Sequence, residues 1–242
     1  MKVINKVLNY KNLNIYQETE MFYFCLDSVL LARFYKPKAK EKVICDFGTN
    51  NAIIPLILSK FISKDTKIIG IDIQPKACEL AKENIKLNNL ENIIEIINQD
   101  IKEYVKDKNN FFDVIYCNPP FFKVFENSNL NTKSEKLIPA RHEVSINLEE
   151  VVRSAKIALK NGGRFVMIHL VERLDEIIEV LRKNNFKVKN IRIIYSKKNQ
   201  SAKKVLIDAI NDGNEGLNFM EPLFVHNDDG SYTEEVSRMF GD

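Results

Sequence analysis

Short apolar runs alternate with stretches of helical periodicity from residue 42 onward. Val, Ile, Phe and Cys dominate these runs almost without polar interruption, which is typical of central strands covered on both faces. The runs occupy residues 43–47, 68–73, 93–98, 114–117 and 164–169. Each is followed by a stretch that favours a helix, and this alternation predicts a doubly wound α/β fold with right-handed crossovers.

The clearest helical pattern lies in residues 75–88. Its apolar residues fall at i, i+3, i+4 and i+8 from Ala77 and form one buried stripe. Pro75 suits the first turn of a helix. Further helices are predicted at residues 53–61, 148–159 and 171–184.

The pattern changes after Phe186. Residues 188–195 and 203–210 read as two strands, and the short polar segment between them allows an antiparallel pair. We therefore predict a mostly parallel, seven-stranded sheet that ends in an antiparallel hairpin. Class I methyltransferases, which are Rossmann-like, have such a sheet, whereas the sheets of dinucleotide dehydrogenases remain parallel.

The length of 242 residues fits one large α/β domain. We expect a single domain over residues 1–242, with an N-terminal lid or extension at 1–41 and a catalytic core at 42–242. No apolar run approaches the roughly 20 residues that span a bilayer, and the first ten residues lack the apolar core of a signal peptide. We expect a cytoplasmic protein without membrane contact, either a monomer or a weak homodimer.

The four cysteines form no CxxC pair, and the three histidines are dispersed along the chain. Buried free thiols are expected rather than disulfides or a metal site.

The net charge of +3 is too small to indicate nucleic-acid binding by itself. Basic residues nevertheless cluster at Arg192, Lys197, Lys198, Lys203 and Lys204. This cluster is either a patch that attracts a polyanion or an ordinary solvated surface.

Residues 43–52 (VICDFGTNNA) combine a buried strand, an acid, a glycine and small polar residues that lead into a helix. Loops of this kind bring backbone N–H groups close to a nucleoside ligand. Gly48 is the one glycine of the loop, although Asn50 or Asn51 could adopt the positive φ that glycine usually supplies. An ordinary strand–turn–helix junction would give the same pattern.

Two more acids follow predicted strands. Asp72 ends the apolar run IIGID, where it could accept both ribose hydroxyls of a nucleoside or cap the next helix. Asp100 could contact an adenine amine. The chain lacks a phosphate-binding arginine and a full GxGxxG here, which disfavours NAD. An acid-lined cleft suits the sulfonium cation of S-adenosylmethionine. The predicted cofactor-binding residues are Asp46, Gly48, Asn50, Asp72, Ile73, Asp100, Ile101 and Asn118.

The sequence VIYCNPPFF at residues 114–122 carries the strongest chemical signal. Pro119 and Pro120 fix the backbone after a buried strand. The Asn118 side-chain oxygen and the Pro119 carbonyl could each accept one N–H of an exocyclic amine, so that the nitrogen lone pair is aimed at the methyl donor. Phe121 could stack on the target base. The alternative is a proline-rich turn with an Asn cap and core phenylalanines.

The chain resembles the bacterial tRNA(Val) (adenine-N6)-methyltransferase family, within the amino-methyltransferases that carry NPP[FY]. Besides NPPF, the resemblance is carried by FYFCLDSVLLARF, ARHE, NGGRFVMIHLVERL, AKKVLIDAINDGNEGL and EPLFVHNDDGSYTEE, and so covers nearly the whole chain. It implies methylation of the adenine 3′ of the anticodon in a tRNA. It also implies cofactor contacts at Asp46, Gly48, Asp72 and Asp100, and amine contacts at residues 118–121.

Further residues are candidates for substrate contact or for closure of the site. The candidate substrate contacts are Phe122, Arg141, His142, Lys197, Lys198, Lys203 and Lys204. Arg141, His142 and Glu143 either gate the target pocket or form a structural ion pair. Asp27 either packs over the cofactor or caps a helix at residues 28–34.

Two other functions remain open. A protein-glutamine methyltransferase could use the same NPPF motif, although only about 40 residues precede the first predicted strand of the core, too few for the N-terminal module of those enzymes. A non-catalytic RNA-binding protein could retain the fold, and the glycine-poor loop after Gly48 is its best support.

Overall fold

The computed structural model describes residues 2–18, 25–119 and 147–241. Strands β1 (Lys2–Lys6) and β2 (Asn14–Glu18) pair as an antiparallel hairpin. All other strands in these segments join one sheet: β3 (Val43–Phe47), β4 (Lys67–Asp72), β5 (Ile94–Asn98), β6 (Phe112–Cys117), β7 (Leu159–Leu170), β8 (Phe186–Tyr195), β9 (Ala202–Asn211), β10 (Asn218–Phe219) and β11 (Leu223–Phe224).

The strand order is β5-β4-β3-β6-β7-β9-β8, and the two-residue strands β10 and β11 both pair with β8. Strands β3 to β7 pair in parallel, whereas β9 runs antiparallel to both β7 and β8. The predicted doubly wound, mostly parallel sheet with a C-terminal antiparallel hairpin is confirmed. Strands β10 and β11 add to the seven predicted strands.

Helices cover both faces of this sheet. They are α1 (Leu26–Phe34), α2 (Ile53–Leu58), α3 (Pro75–Leu87), α4 (Ile101–Tyr104), α5 (Leu148–Ala158), α6 (Leu174–Lys183) and α7 (Glu234–Met239). Alternate residues of each strand point to opposite faces. In β6, Val114 and Tyr116 join the core beneath α1 to α3, while Ile115 and Cys117 join the core beneath α5 and α6. Burial on both sides explains the continuous apolar runs.

Several element boundaries differ from the sequence-based expectation. Strand β7 begins at Leu159 rather than 164 because Leu159 already pairs with Phe112 of β6. The helix expected at 171–184 is a 3₁₀ turn, Val171–Arg173, followed by α6. Cys25 is exposed, so the expectation that all four thiols are buried was wrong for this residue.

The β1–β2 hairpin docks on α3 through two asparagines. Asn84 accepts from the Tyr16 N–H at 2.6 Å and donates to the Tyr16 carbonyl, and Asn88 binds Asn14 in the same two-way manner at 2.9 and 2.8 Å. The two amides therefore bind the edge of β2 as a neighbouring strand would. Asn84 also donates to the Asn51 carbonyl, which links the hairpin to the loop after β3.

In the described segments, no helix combines the length and apolar character needed to cross a bilayer. The same segments contain no group of three or more His, Cys, Asp or Glu side chains arranged to hold a metal ion.

Candidate active site

Four predicted site residues lie at one edge of the sheet, where the parallel strands β3 to β6 end. Asp46 lies one residue before the end of β3, and Asp72 ends the neighbouring β4. Asp100 follows β5 by two residues, and Asn118 directly follows β6. Because the four strands are parallel and adjacent, their carboxyl ends bring these groups together.

The loop after β3 turns tightly against β4. The N–H groups of Gly48 and Thr49 both donate to the Ile71 carbonyl at 2.9 Å. Gly48 has φ +73°, and a Cβ built there would meet no atom within 4 Å, so the residue borders open space. Of the two candidate asparagines, Asn50 adopts a positive φ, at +48°, and Ala52 adopts φ +64°. The loop therefore contains two non-glycine residues in the left-handed conformation that glycine usually adopts.

Asp46 is fully buried, and neither of its carboxylate oxygens has a hydrogen-bond partner among the described residues. Burial raises the pKa of this carboxyl group to about 8, and the neighbouring Thr49 hydroxyl lowers it only in part. The Thr49 hydroxyl stands close to Asp46 without a hydrogen bond of regular geometry to it. A buried carboxyl group without a partner is costly when charged, so a bound cation fits this position.

Asp72 is buried as well, with 5% of its surface exposed, but both of its oxygens are engaged. Oδ2 accepts from the Asn50 N–H at 2.8 Å and Oδ1 from the Gln74 N–H at 2.9 Å. Burial raises the pKa of Asp72, and the backbone N–H groups of Gln74, Asn50 and Ile73 counteract the rise. A carboxylate has about four acceptor positions, so the two regular hydrogen bonds leave Asp72 with capacity for ligand hydroxyls. Gln74 occupies the N-cap position of the helix that follows but makes no side-chain capping hydrogen bond, and Asp72 lies two residues before it.

The third acid, Asp100, caps α4 by accepting from the Lys102 N–H at 2.7 Å. Nearby, the Asn98 amide donates to the carbonyls of Asp72 and Ile73 at 3.0 Å and ties the ends of β4 and β5 together. Ile73 is 43% exposed, and Ile101 is half-buried. An exposed apolar side chain beside a capping acid could contact the face and edge of a planar ring.

Asn118 is half-buried, and its Nδ2 donates to the Ser28 hydroxyl at 3.1 Å. Pro119, also half-buried, is the last residue described before the gap. Six predicted site residues or neighbours lie outside the described residues: Pro120, Phe121, Phe122, Arg141, His142 and Glu143.

Helix α1 approaches the site with its first turn. Cys25 is its N-cap residue, so the expectation that Asp27 caps this helix was wrong. Asp27 lies inside the first turn, is 6% exposed and forms an ion pair with Lys204 of β9. This ion pair joins positions 177 residues apart in the sequence.

Some residues of the predicted basic cluster form ion pairs, and others are exposed. Arg192 pairs with Glu235 at 2.7 Å and Lys204 with Asp27, whereas Lys198 and Lys203 are exposed. Lys197 donates to the Asp228 carbonyl at 3.0 Å. Strand β8 runs in the same direction as β7, so the turn between β8 and β9 lies at the sheet edge where Asn118 lies.

The sequence reasoning missed Ser28, Thr49 and Asn98. Thr49 lies within the loop that was singled out, and its buried position could have been inferred from the preceding Gly48 turn. Ser28 lies within the quoted segment FYFCLDSVLLARF. Its contact with Asn118 crosses 90 residues of sequence and has no local signal.

Comparison with known proteins places the chain among methyltransferases. A family described as "Methyltransferase domain" matches residues 38–221. The tRNA1(Val) (adenine(37)-N6)-methyltransferase of Parabacteroides distasonis is 26% identical over 182 residues, 75% of this chain and 73% of that protein. The protein of the same name from Bacteroides thetaiotaomicron is 24% identical over 97% of this chain and 95% of its own length. These names confirm the resemblance inferred from the sequence motifs.

Solved structures with the same fold include a predicted O-methyltransferase from Agrobacterium tumefaciens. It superposes with a TM-score of 0.69 at 18% identity, over 88% of this chain and 95% of that one. Trm5 of Methanocaldococcus jannaschii, in complex with adenosine, gives a TM-score of 0.63 at 20% identity over 88% of this chain and 57% of that one. Since the family match spans residues 38–221 of the 242, the chain belongs to the methyltransferase-domain family.

Proposed function

We propose that this protein transfers a methyl group from S-adenosylmethionine to the exocyclic N6 of an adenine in tRNA, the adenine 3′ of the anticodon being the target. The observation that carries the proposal is the shared sheet edge, where the acids at the ends of β3 and β4, Asp46 and Asp72, lie at the same edge as Asn118. Relatives that match up to 97% of the chain carry the name tRNA1(Val) (adenine(37)-N6)-methyltransferase.

Each of the three acids would bind a different part of the cofactor. Asp72 would accept the ribose hydroxyls with the acceptor positions that its two backbone hydrogen bonds leave over. Asp46, which has no hydrogen-bond partner among the described residues, would face the positive charge of the methionine portion. Asp100, with Ile73 and Ile101 beside it, would bind the adenine. When bound, S-adenosylmethionine supplies an electrophilic methyl group on a sulfonium.

The amine to be methylated is a weak nucleophile because its lone pair is delocalised into the purine ring. Asn118 Oδ1 and the Pro119 carbonyl would each accept one of its N–H groups and hold the lone pair toward the methyl group. Such orientation is one of the largest contributions that an enzyme can make. From the sequence, Phe121 would provide the surface on which the target base stacks after it leaves the anticodon loop.

The tRNA backbone would contact the lysines at the turn between β8 and β9. Lys198 and Lys203 are exposed there, at the edge of the sheet that carries Asn118. Contacts of lysines with phosphates release counterions, so affinity for tRNA should fall steeply as salt is raised. Lys204 is held in the ion pair with Asp27 and would act by supporting α1.

The test is methyl transfer from labelled S-adenosylmethionine to total tRNA that lacks the modification, followed by mass spectrometry of the nucleosides. Wild-type protein should produce N6-methyladenosine. Asn118→Ala should lower the rate at least about 100-fold, because both the acceptor and the orientation of the amine are lost. Asn218→Ala, an exposed asparagine on β10, is the matched control and should retain the wild-type rate.

Each negative result has its own meaning. Cofactor binding without transfer to any tRNA would contradict the tRNA substrate and favour an amide nitrogen of a protein. No binding of S-adenosylmethionine at all would contradict the enzyme proposal and favour an RNA-binding protein that retains the fold. Transfer to a tRNA adenine elsewhere in the molecule would retain the chemistry and correct the target position.

A further inference from the structure

We propose that Ser28, in the first turn of α1, is a positioning residue that orients the Asn118 amide for methyl transfer. The inference rests on the function proposed above. Ser28 is 7% exposed, and its hydroxyl accepts from Asn118 Nδ2 at 3.1 Å. The only other described contact of Nδ2 is a 4.0 Å approach to Cys25 Sγ, which is at the outer limit for a hydrogen bond to sulfur.

The first turn of α1 is anchored independently of Asn118. Asp27 forms an ion pair with Lys204 of β9, and both side chains are largely shielded from solvent. In the following turn, Leu30 and Leu31 are buried in the core beneath α1 to α3. Ser28 is therefore a fixed point to which the Asn118 side chain attaches, since an anchored helix holds the hydroxyl in place.

An amide side chain carries its acceptor and its donors on opposite branches, so the orientation of the amide decides what it offers a substrate. Methylation of an amine requires Asn118 to offer Oδ1, because the amine presents N–H groups. With Nδ2 committed to Ser28, Oδ1 is available for the substrate. The reversed amide would present N–H donors to an N–H donor and would hold no amine.

The expected effect of losing this contact follows from the worth of one hydrogen bond. Ser28→Ala should lower kcat about 2- to 15-fold. The dissociation constant for S-adenosylmethionine and the KM for tRNA should stay near the wild-type values, because Ser28 acts on the reacting amine through Asn118. Ser28→Thr retains a hydroxyl and should restore most of the lost rate.

A double-mutant cycle separates positioning from a general structural role. In single-turnover assays, Ser28→Ala should have no further effect in the Asn118→Ala background, because the group that Ser28 orients is gone. Ser154→Ala makes the same change at another buried serine, 3% exposed on α5, and should leave the rate unchanged. An equal loss from Ser28→Ala in both backgrounds, or a wild-type kcat for Ser28→Ala alone, would overturn the proposal.

A measurement without substrate distinguishes failure of this inference from failure of the proposed function. In ¹⁵N spectra of the side-chain amides, the pair of signals missing from Asn118→Ala identifies Asn118. Ser28→Ala should shift that pair, and Ser154→Ala should not. If wild-type protein methylates no tRNA while the pair shifts, the proposed function fails and the orienting contact stands. If the pair does not shift, the contact is absent and the inference is wrong whatever the activity.

Discussion

The carboxyl ends of β3 and β4 each bury one aspartate at the same edge of the sheet, yet the two carboxyl groups have different surroundings. Asp72 accepts two backbone hydrogen bonds, at 2.8 and 2.9 Å. Asp46 is completely buried and has no hydrogen-bond partner in the described segments. Burial raises the pKa of both groups, but for Asp46 the value reaches about 8.

This difference indicates a division of labour between the two acids. Backbone N–H groups stabilise the charged form of Asp72 and fix its oxygens before any ligand arrives. The carboxylate of Asp46 accepts no such hydrogen bond from the described residues. Its charged form therefore destabilises the free protein unless a cation lies beside it. Strongly shifted carboxyl groups of this kind gather at functional sites. Asp72 is thus a preformed acceptor, and Asp46 is a group whose charge depends on the ligand.

The largest expected effect concerns the stability of the free protein at high pH. The pKa of Asp46 is about 8 in the folded protein, above the ordinary value of about 4 in an unfolded chain. The folded protein therefore keeps a proton that the unfolded chain loses, and stability should fall as pH rises from about 4 to about 8. Asp46→Asn should remove this loss, on the order of a few kcal/mol.

The measurement is urea unfolding at pH 5, 7 and 9. Wild-type protein should lose stability relative to Asp46→Asn across this range, whatever constant offset the amide introduces. Asp65→Asn, at an exposed aspartate that pairs with Lys42 and whose pKa is lowered, should run parallel to wild type. If the free energy of unfolding changed with pH equally in wild type and Asp46→Asn, the carboxyl group of Asp46 would not be unusual, and the proposed difference between Asp46 and Asp72 would be wrong.

The second prediction concerns Asp72 and the affinity for the cofactor. Asp72→Ala removes two proposed acceptors of ribose hydroxyls and should raise the dissociation constant of S-adenosylmethionine about 100-fold. It also leaves the N–H groups of Asn50 and Gln74 without their acceptor, which should cost about 1–3 kcal/mol of stability. Asp72→Asn keeps one oxygen and should fall in between. Calorimetric titration measures the affinity for S-adenosylmethionine. An unchanged affinity in Asp72→Ala would contradict the proposed contact of Asp72 with the ribose hydroxyls.

The third prediction links binding to the charge of Asp46. At pH 7 its carboxyl group is largely protonated in the free protein, since its pKa is about 8. A cation beside it favours the charged form, so binding of S-adenosylmethionine should release up to about one proton, and affinity should rise about 5-fold from pH 7 to pH 8. Calorimetry in two buffers of different ionisation enthalpy measures the release. Asp46→Asn should release almost none, and equal binding enthalpies for wild type in both buffers would refute the link.

The central strands could be predicted because their signal is local. Residues 43–47 were predicted as a strand, and β3 spans Val43–Phe47; continuous burial on both faces leaves an apolar run in the sequence. The β1–β2 hairpin was missed, because it is held by Asn84 and Asn88 of a distant helix. Strand β10 was missed as well, since its two residues are ordered by the edge of β8 rather than by their own pattern.

The candidate site could likewise be predicted only in part. The positions of Asp72 and Asn118 at strand ends follow from strand order, because the carboxyl ends of parallel strands share one edge. The environment of each side chain depends on distant contacts. Lys203 and Lys204 are equivalent in sequence, yet only Lys204 meets Asp27, 177 residues away. The sequence therefore located the acids but could not distinguish the hydrogen-bonded Asp72 from Asp46.

The smallest expected effect concerns Thr49, the residue whose hydroxyl partly lowers the pKa of Asp46. Thr49→Val keeps the shape of this buried side chain and removes the hydroxyl, so the pKa of Asp46 should rise further. The pH at which cofactor binding releases its proton should move upward by a few tenths of a unit, with a 2- to 5-fold loss of affinity at pH 7, about the worth of one weak polar contact. Thr49→Ser keeps the hydroxyl and should follow wild type in the buffer-pair titration. A downward shift in Thr49→Val, or an equal shift in both variants, would contradict the proposed effect of the Thr49 hydroxyl on the pKa of Asp46.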